Sequence, residues 1–185
     1  MRNLAIQIAV LTLDQDAQTG RLVKLTTWKS ALNVGDLIGQ IQLGAFCSDP
    51  REIRYTKESE GAFDANLRRV FNERAATLGF SSPDEAASVF ESGPRDNTGF
   101  RVGVTLLAMD YRICGRSEVN GSAYARMKWE LFSTRRQQVV WSAVVESSYA
   151  SKSDQPITDF SKKYWTAMVD NLLGDPGFVA AIRSG

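Results

Sequence analysis

Apolar and polar residues alternate with a period of two over three long stretches in the second half of the chain. The stretches cover residues 100–113, 122–133 and 138–149. On one face of the middle stretch lie Ala123, Ala125, Met127, Trp129 and Leu131. Such alternation is typical of strands that bury one face. Because only the short turn-forming segments 115–121 and 134–137 separate the stretches, the pattern predicts an antiparallel meander of three strands.

Two other segments have the three- and four-residue apolar spacing of amphipathic helices, and they cover residues 60–78 and 158–173. The stripe of the first is formed by Phe63, Leu67, Val70, Phe71 and Leu78, with Arg74 as its polar interruption. We expect Ser59 to cap the first helix and Gly79 to end it in the left-handed conformation. Asp175, followed by proline, is expected to begin a short terminal helix.

The first half of the chain is less regular. Strands are predicted at residues 4–13, 21–28 and 51–56, with a weaker one at 86–91. Residues 29–50 are apolar but interrupted by glycines and a proline, so we expect an irregular, partly buried excursion there. No linker or repeat divides the chain, which we take as one domain over residues 1–185. It combines N-terminal strands and the excursion (1–56) with a helix, meander and C-terminal helices (57–185).

The segregation of strands from helices predicts the α+β class, with an antiparallel sheet and two main helices packed on one of its faces. The chain has 185 residues, with 22 Lys and Arg against 21 Asp and Glu. A net charge of +1 argues against a nucleic-acid-binding specialist. No apolar stretch approaches the ~20 residues that a membrane-spanning helix requires, so no transmembrane segment is expected.

Histidine is absent from the chain, which excludes a Ser-His-Asp triad, a Cys-His pair and a zinc site containing histidine. The chain also lacks the phosphate-loop and serine-nucleophile motifs. The one acidic residue inside an apolar run is Asp110, which Arg101, Arg112 or Arg126 could approach on adjacent strands. A solvated Asp110, or a simple cross-strand ion pair, is the simpler explanation of this residue, and we favour it. We therefore expect no enzyme, with no catalytic residue, metal or cofactor.

Cys47 and Cys114 are the two cysteines, 67 positions apart, so they form no CxxC redox or metal motif. They are either two buried free thiols, as in many cytosolic proteins, or one disulfide in an exported protein. Their even number and their positions at the edges of predicted strands favour the disulfide. Residues 1–13 faintly resemble a signal peptide, but their alternation favours a strand, and a leader of an exported protein would then already have been removed.

An aromatic and basic stripe lies on the polar face of the middle strand. It consists of Tyr124, Arg126, Lys128, Glu130 and Phe132. The stripe is either the solvated face of a sheet or a surface that contacts another protein, because Tyr, Trp, Phe and Arg are enriched at interfaces. Its acidic member and the near-neutral chain argue against nucleic acid. The predicted interface residues are Trp28, Tyr124, Arg126 and Phe132.

Two strings of the second half resemble small bacterial envelope lipoproteins of the transport-auxiliary and outer-membrane-assembly families. One is residues 125–133 (Ala-Arg-Met-Lys-Trp-Glu-Leu-Phe-Ser) followed by 138–142 (Gln-Val-Val-Trp-Ser). The other is residues 171–178 (Asn-Leu-Leu-Gly-Asp-Pro-Gly-Phe). Residues 34–47, with the later Cys114, also resemble the non-catalytic segment that precedes some bacterial trypsin-like protease domains.

The resemblance implies a periplasmic or outer-membrane-associated protein with a Cys47–Cys114 disulfide and a binding or scaffolding role. We therefore expect a non-enzymatic accessory or scaffold protein of an envelope assembly. It would act through contacts with envelope proteins or with further copies of itself. Two alternatives stay open. The first is a small-molecule or lipid-binding module with a cavity between helices and sheet. The second is an enzyme that uses Asp110 with an arginine partner.

Overall fold

A computed structural model describes residues 23–43, 47–80, 99–115, 119–153 and 157–184. The strands in these ranges are β1 (Val23–Ser30), β2 (Leu37–Leu43), β3 (Asp49–Arg54), β4 (Phe100–Gly115), β5 (Val119–Ser133) and β6 (Gln138–Ser153). The helices are α1 (Lys57–Thr77), α2 (Ile157–Leu173) and α3 (Pro176–Ser184). The strands predicted at residues 4–13 and 86–91 lie outside the described residues. The α+β class is confirmed.

The long strand β4 organises the sheet, whose order is β3-β2-β4-β5-β6. One edge of β4 pairs antiparallel with β5, and β5 pairs antiparallel with β6, as the meander predicted. Its other edge pairs with β1 over residues 100–106 and with β2 over residues 111–114, and both of these pairings are parallel. The sheet is therefore mostly but not wholly antiparallel. The parallel pairs arise because α1 lies between these strands and β4 in the chain, as in a crossover connection.

The predicted irregular excursion over residues 29–50 contains β2 and the start of β3, which pair antiparallel. The prediction of an irregular segment was therefore wrong for these strands. Gly39 explains how β2 can join the sheet. Its φ angle is 151°, and a β-carbon at this position would overlap the backbone of Tyr111 on β4. The sequence pattern treats Gly39 as an interruption of a strand, but its missing side chain allows the backbones of β2 and β4 to approach each other.

The long strands bury one face. In β5, Ala123, Ala125, Met127, Trp129 and Leu131 are all buried, as the alternation predicted. Aromatic rings from the helices contact side chains on this face. Phe63 of α1 lies 6.3 Å from Tyr111, ring centre to ring centre, and Tyr164 of α2 lies 5.2 Å from it. Phe178 of α3 lies 5.2 Å from Trp141 of β6. Side chains of all three helices therefore contact the apolar residues of this face.

The ends of α1 show how local sequence sets its bounds. Thr56, not the predicted Ser59, is the N-cap, and Ser59 completes a capping box by accepting a hydrogen bond from the Thr56 backbone. The helix therefore begins one turn earlier than expected. Gly79 follows the helix with a φ of 79°, as predicted. Arg74, the interruption in the apolar stripe, donates to Asp170 of α2 over 2.6 Å and so joins the two helices.

Candidate functional site

The face of β4, β5 and β6 that alternates with the buried one is here named the outer face. From β4 and β5 it carries Arg101, Thr105, Asp110, Arg112, Tyr124, Arg126, Lys128, Glu130 and Phe132. From β6 it carries Val139, Ser142, Val144, Glu146 and Ser148. Strand register brings these residues together, because side chains directly opposite each other on paired strands point to the same side.

Charges of both signs alternate over the outer face and pair locally. Arg126 lies opposite Glu146 on β6, and their side chains form an ion pair of 3.5 Å. Lys128 pairs with Glu130 over 2.8 Å, two residues along the same strand. These groups are largely exposed, so each pair contributes little to stability.

Apolar and aromatic side chains interrupt the charged groups. Val139 and Val144 of β6 are 50% and 48% exposed, although valine is usually among the more buried residues. In register, Val139 lies opposite Phe132, and Val144 lies opposite Lys128. Tyr124 lies further along β5 on the same face. Sequence analysis missed both valines. Val144 alternates with Ala143 and Val145, and that pattern could have placed it on this face. Val139 has the same parity as Trp141 and reaches the outer face only through the register shift between Leu131 and Phe132.

Three of the four predicted interface residues share the outer face, namely Tyr124, Arg126 and Phe132. Trp28 does not join them. It lies in register with the buried Val104, is partly buried and packs against the core. Its indole nitrogen is buried and has no hydrogen-bond partner among the described residues. The interface role of the four residues stays a prediction, and Trp28 is separated from the other three by the sheet itself.

Cys47 and Cys114 form a disulfide with their Cα atoms 5.6 Å apart, so the predicted pairing is confirmed. The bond joins the connection between β2 and β3 to the end of β4. Cys47 has a φ of 58°, a left-handed conformation that non-glycine residues rarely adopt. The disulfide therefore fixes an irregular part of the chain to the central strand.

Asp110, the residue on which the enzyme alternative depends, lies on the outer face and not in a recess. Its side chain is 48% exposed and forms an ion pair of 3.1 Å with Arg112, two residues along the same strand. Within the described ranges, no group of three or more cysteines and acidic residues could hold a metal ion. None of the helices there is both long and apolar enough to span a bilayer.

A groove of about 610 Å³ lies between α2 and β6. It is lined by Tyr149, Lys162, Lys163, Thr166, Ala167 and Asp170. This volume falls within the range of small-molecule sites. Deeper in the core, burial raises the pKa of Tyr111 well above its ordinary value, and burial and the neighbouring Tyr111 do the same for Tyr164. Both phenols are therefore structural groups that stay neutral at physiological pH.

No protein-family model matches the chain, and no curated protein matches it. Solved structures do resemble it. A Xanthomonas campestris protein described as DUF330 superposes with a TM-score of 0.51 at 10% identity, over 90% of this chain and 87% of its own.

A PelC dodecamer from Paraburkholderia phytofirmans gives a TM-score of 0.42 at 11% identity, over 83% of this chain and 87% of its own. A Helicobacter pylori protein described as a homologue of neuraminyllactose-binding hemagglutinin gives 0.40 at 9% identity, over 90% and 89%. At 10% identity, the likeness to the DUF330 protein concerns the fold alone: the chain shares its arrangement of strands and helices.

Proposed function

We propose that this chain is a non-enzymatic accessory or scaffold protein of a bacterial envelope assembly and that it acts through protein contacts on the outer face. One observation carries the proposal. Exposed valines, two aromatic rings and an arginine occupy one face of two adjacent strands, β5 and β6. The proposal takes both main helices to lie on the opposite face, and the ring contacts of Phe63 and Tyr164 with Tyr111 support that arrangement.

The amino-acid composition of the outer face is closer to that of a protein interface than to that of a surface that contacts only water. Interfaces are enriched in aromatic residues and arginine, and the two half-exposed valines add apolar area to the same face. The interspersed ion pairs would make the contact specific, because a wrong partner would leave charges opposite like charges. Tyr124, Arg126 and Phe132 are the residues we expect to contribute most.

The proposed compartment is the periplasm, at or near the outer membrane. The disulfide supports it, because such bonds persist in oxidising compartments. Thiol trapping in intact cells tests this directly. A maleimide reagent that adds mass should label neither Cys47 nor Cys114 unless the sample is first reduced. Labelling of both thiols without reduction would place the protein in a reducing compartment and contradict the proposal.

The interaction role is tested with two matched double variants. Val139→Ser with Val144→Ser removes the exposed valines of the outer face. Val34→Ser with Leu37→Ser removes two side chains that are exposed to a similar degree, 61% and 50%, outside that face. Both changes should leave the fold intact, since exposed substitutions rarely cost more than about 0.5 kcal/mol.

Quantitative cross-linking and capture from envelope extracts, together with analytical ultracentrifugation of the purified chain, provide the readout. We expect the outer-face variant to lose a defined set of partners, or self-association, by about tenfold, which corresponds to about 1.4 kcal/mol. The control variant should keep them. Equal retention by both variants would contradict a contact surface on the outer face.

A second candidate function rests on the groove between α2 and β6. Its volume suits a small ligand, and Lys162 and Lys163 at its wall would attract an acidic headgroup. This chain would then be a binding module for an anionic lipid or other small molecule. Titration with oleate, a single-chain carboxylate, by isothermal calorimetry tests the idea. Saturable binding that Ala167→Trp abolishes, with the fold intact, supports it. Non-saturable heats would exclude it for this ligand class.

A further inference from the structure

Among the described residues, the sheet ends at β6 on one side and at β1 and β3 on the other. The outer edge of such a strand exposes backbone N–H and C=O groups that can pair with another strand, and natural sheets prevent this with short strands, prolines, charges and bulges. β3 has several of these features. It is six residues long and contains Pro50. Four of its residues are charged and exposed, namely Asp49, Arg51, Glu52 and Arg54.

β1 is protected in a different way. Its pairing with β4 has a register shift between Leu25 and Thr27, as at a β-bulge. Arg68 of α1 donates to the carbonyls of Leu25 and Thr26 at this point, over 2.7 and 3.3 Å. Lys29 adds an exposed charge near the end of the strand. Both strands on this side of the sheet therefore have features that discourage pairing with a further strand.

β6 has little of this protection over most of its length. It is 16 residues long, and its register shift against β5 lies between Val139 and Trp141, near its start. From Trp141 to Ser151 it contains no proline or glycine and one charged residue, Glu146. That carboxylate already pairs with Arg126 of β5. Within the part of the chain that the structure describes, no strand pairs with the second edge of β6.

Apolar side chains on the core side of β6 are also incompletely covered. Val145 and Tyr149 lie in register with Met127 and Ala123 of β5. The two β5 residues are each 2% exposed, whereas Val145 and Tyr149 are only half-buried. A further strand beside β6 would cover these two side chains, and the removal of their apolar surface from water would favour its addition.

We propose that the second edge of β6 pairs antiparallel with β6 of a second copy of this chain, so that two sheets join into one. The pairing would be a symmetric dimer, in which each copy contributes the same strand. This inference uses the strand edge and does not depend on the proposed contact surface of the outer face. Main-chain hydrogen bonds would supply the affinity, as in other cases of strand addition.

The sequence of β6 is complementary to itself, which favours a second copy over an unrelated strand. Residues 141–153 overlap completely when Ser147 lies opposite Ser147 of the second copy. In this register Val145 lies opposite Tyr149 of the second copy, and a β-branched side chain opposite an aromatic ring is a favourable cross-strand pair. Glu146 lies opposite the neutral Ser148 of the second copy, so the two carboxylates do not face each other directly.

Disulfide cross-linking between two single variants, Ala143→Cys and Ser151→Cys, tests this register. Both changes are small, and both positions are half-buried on the core side of β6. In the proposed dimer they lie opposite each other with their Cα atoms about 4.5–5.5 Å apart, within the range of a disulfide. Mixing the two variants and oxidising them with copper phenanthroline should give a linked dimer on a non-reducing gel.

Each variant alone is the matched control. Two copies of Ala143→Cys would place their new thiols about 27 Å apart along the strands, and so would two copies of Ser151→Cys. Neither sample should therefore give more than a trace of linked dimer. These controls also report any exchange of the new thiol with the native disulfide, because that reaction needs only one of the two variants.

Hydrogen exchange of the unmodified chain at two concentrations gives a second measurement. When about nine-tenths of the chain is dimeric, the amides of β6 that point away from β5 should exchange about tenfold more slowly, because they open only in the remaining monomer. Amides of β3, the protected edge, should exchange at the same rate at both concentrations. Analytical ultracentrifugation provides the fraction of dimer.

Three outcomes would overturn the pairing. The first is a chain that stays monomeric in the ultracentrifuge and gives no linked dimer in the mixture. The second is equal cross-linking in the mixture and in the single variants, since copies would then associate without this register. The third is equal slowing of exchange in β6 and β3. The proposed function is tested separately, through the capture of envelope partners by variants of Val139 and Val144, and a monomeric chain would leave that result unaffected.

Discussion

The two faces of one sheet behave as two different surfaces, although they share the same backbone. On β5, Leu131 is fully buried, whereas its neighbour Phe132 is only partly buried on the outer face. Trp129 is buried against the core, and Lys128 beside it forms an exposed ion pair. Consecutive residues of the strand therefore have different surroundings, because one packs in the core and the next lies on the charged outer face.

The difference separates the residues that stabilise the fold from those that the proposed function would use. The buried face supplies hydrophobic contacts with three helices, and these contacts are the main source of folding free energy. The outer face adds little packing, so most substitutions there should change stability little. Its largest contribution to stability is the disulfide bond. Cys114 follows the buried Ile113 at the end of β4, so strand alternation places its side chain on the outer face.

Removal of the disulfide should have the largest single effect on stability. The bond closes a loop with a sequence separation of 67 residues, for which the chain-entropy model gives about 4 kcal/mol. The double variant Cys47→Ser, Cys114→Ser should lose this amount in urea unfolding. The reduced wild type should lose the same amount, which controls for the serine substitutions. An unchanged urea midpoint in both samples would show that the outer face contributes no covalent stabilisation.

Truncation of neighbouring residues on β5 should separate the two faces directly. Leu131→Ala removes a fully buried side chain and should cost about 2–5 kcal/mol of unfolding free energy. Phe132→Ala removes a larger side chain from the outer face and should cost about 1 kcal/mol or less, mainly cross-strand pairing. Urea unfolding of both variants provides the comparison. Similar losses would mean that a further part of the chain covers the outer face.

Much of this asymmetry was predictable from the sequence, because burial follows a period of two along β5 and, apart from one irregularity in each strand, along β4 and β6. The apolar spacing of α1 and α2 was equally clear. Gly39 shows the limit of such patterns. A glycine reads as a strand breaker when the chain is considered alone, and its role appears only when Tyr111 lies against it. The parallel pairing of β1 and β2 with β4 likewise depends on tertiary contacts, and no local sequence pattern predicts it.

The candidate site was predictable only in part. Tyr124, Arg126 and Phe132 share a face because they share a strand and its alternation. Trp28 was grouped with them by residue type, and register with Val104 places it on the other side of the sheet. Val139 has the sequence parity of Trp141, which faces the core, and it lies beside Phe132 on the outer face only because the register shifts between Leu131 and Phe132. Such a juxtaposition requires the strand register, which the sequence does not supply.

Alkaline pH should weaken the buried face in particular. Burial raises the pKa of Tyr111 and Tyr164 above the value of about 10 that they have when unfolded. The unfolded chain then loses phenolic protons first, so stability is constant below about pH 10 and falls as the pH rises toward the folded pKa. The expected slope is at most about 1.4 kcal/mol per pH unit for each phenol.

Urea unfolding between pH 8 and pH 11 measures this loss. Tyr164→Phe should flatten the alkaline slope, because it removes one of the two buried phenols. Tyr124→Phe is the matched control, since it removes the same hydroxyl from the outer face. A slope that both variants reduce equally would mean that the two faces titrate alike.

The smallest effect expected concerns ion pairs on the two faces. Arg126 and Glu146 form an exposed pair of 3.5 Å across two strands. Arg74 and Asp170 form a less exposed pair of 2.6 Å between two packed helices. Double-mutant cycles to alanine should give a coupling of about 0.5 kcal/mol or less for the first pair and about 1 kcal/mol for the second.

Salt distinguishes the two pairs further. Exposed charges are screened within about 10 Å at 0.1 M ionic strength, whereas partly buried ones are screened less. Raising the salt to 1 M should therefore remove the coupling of Arg126 with Glu146 and leave a measurable part of that between Arg74 and Asp170. If the outer pair is instead the stronger and persists in salt, the outer face is held by its own charges. Its residues would then be less free to exchange those charges for a partner.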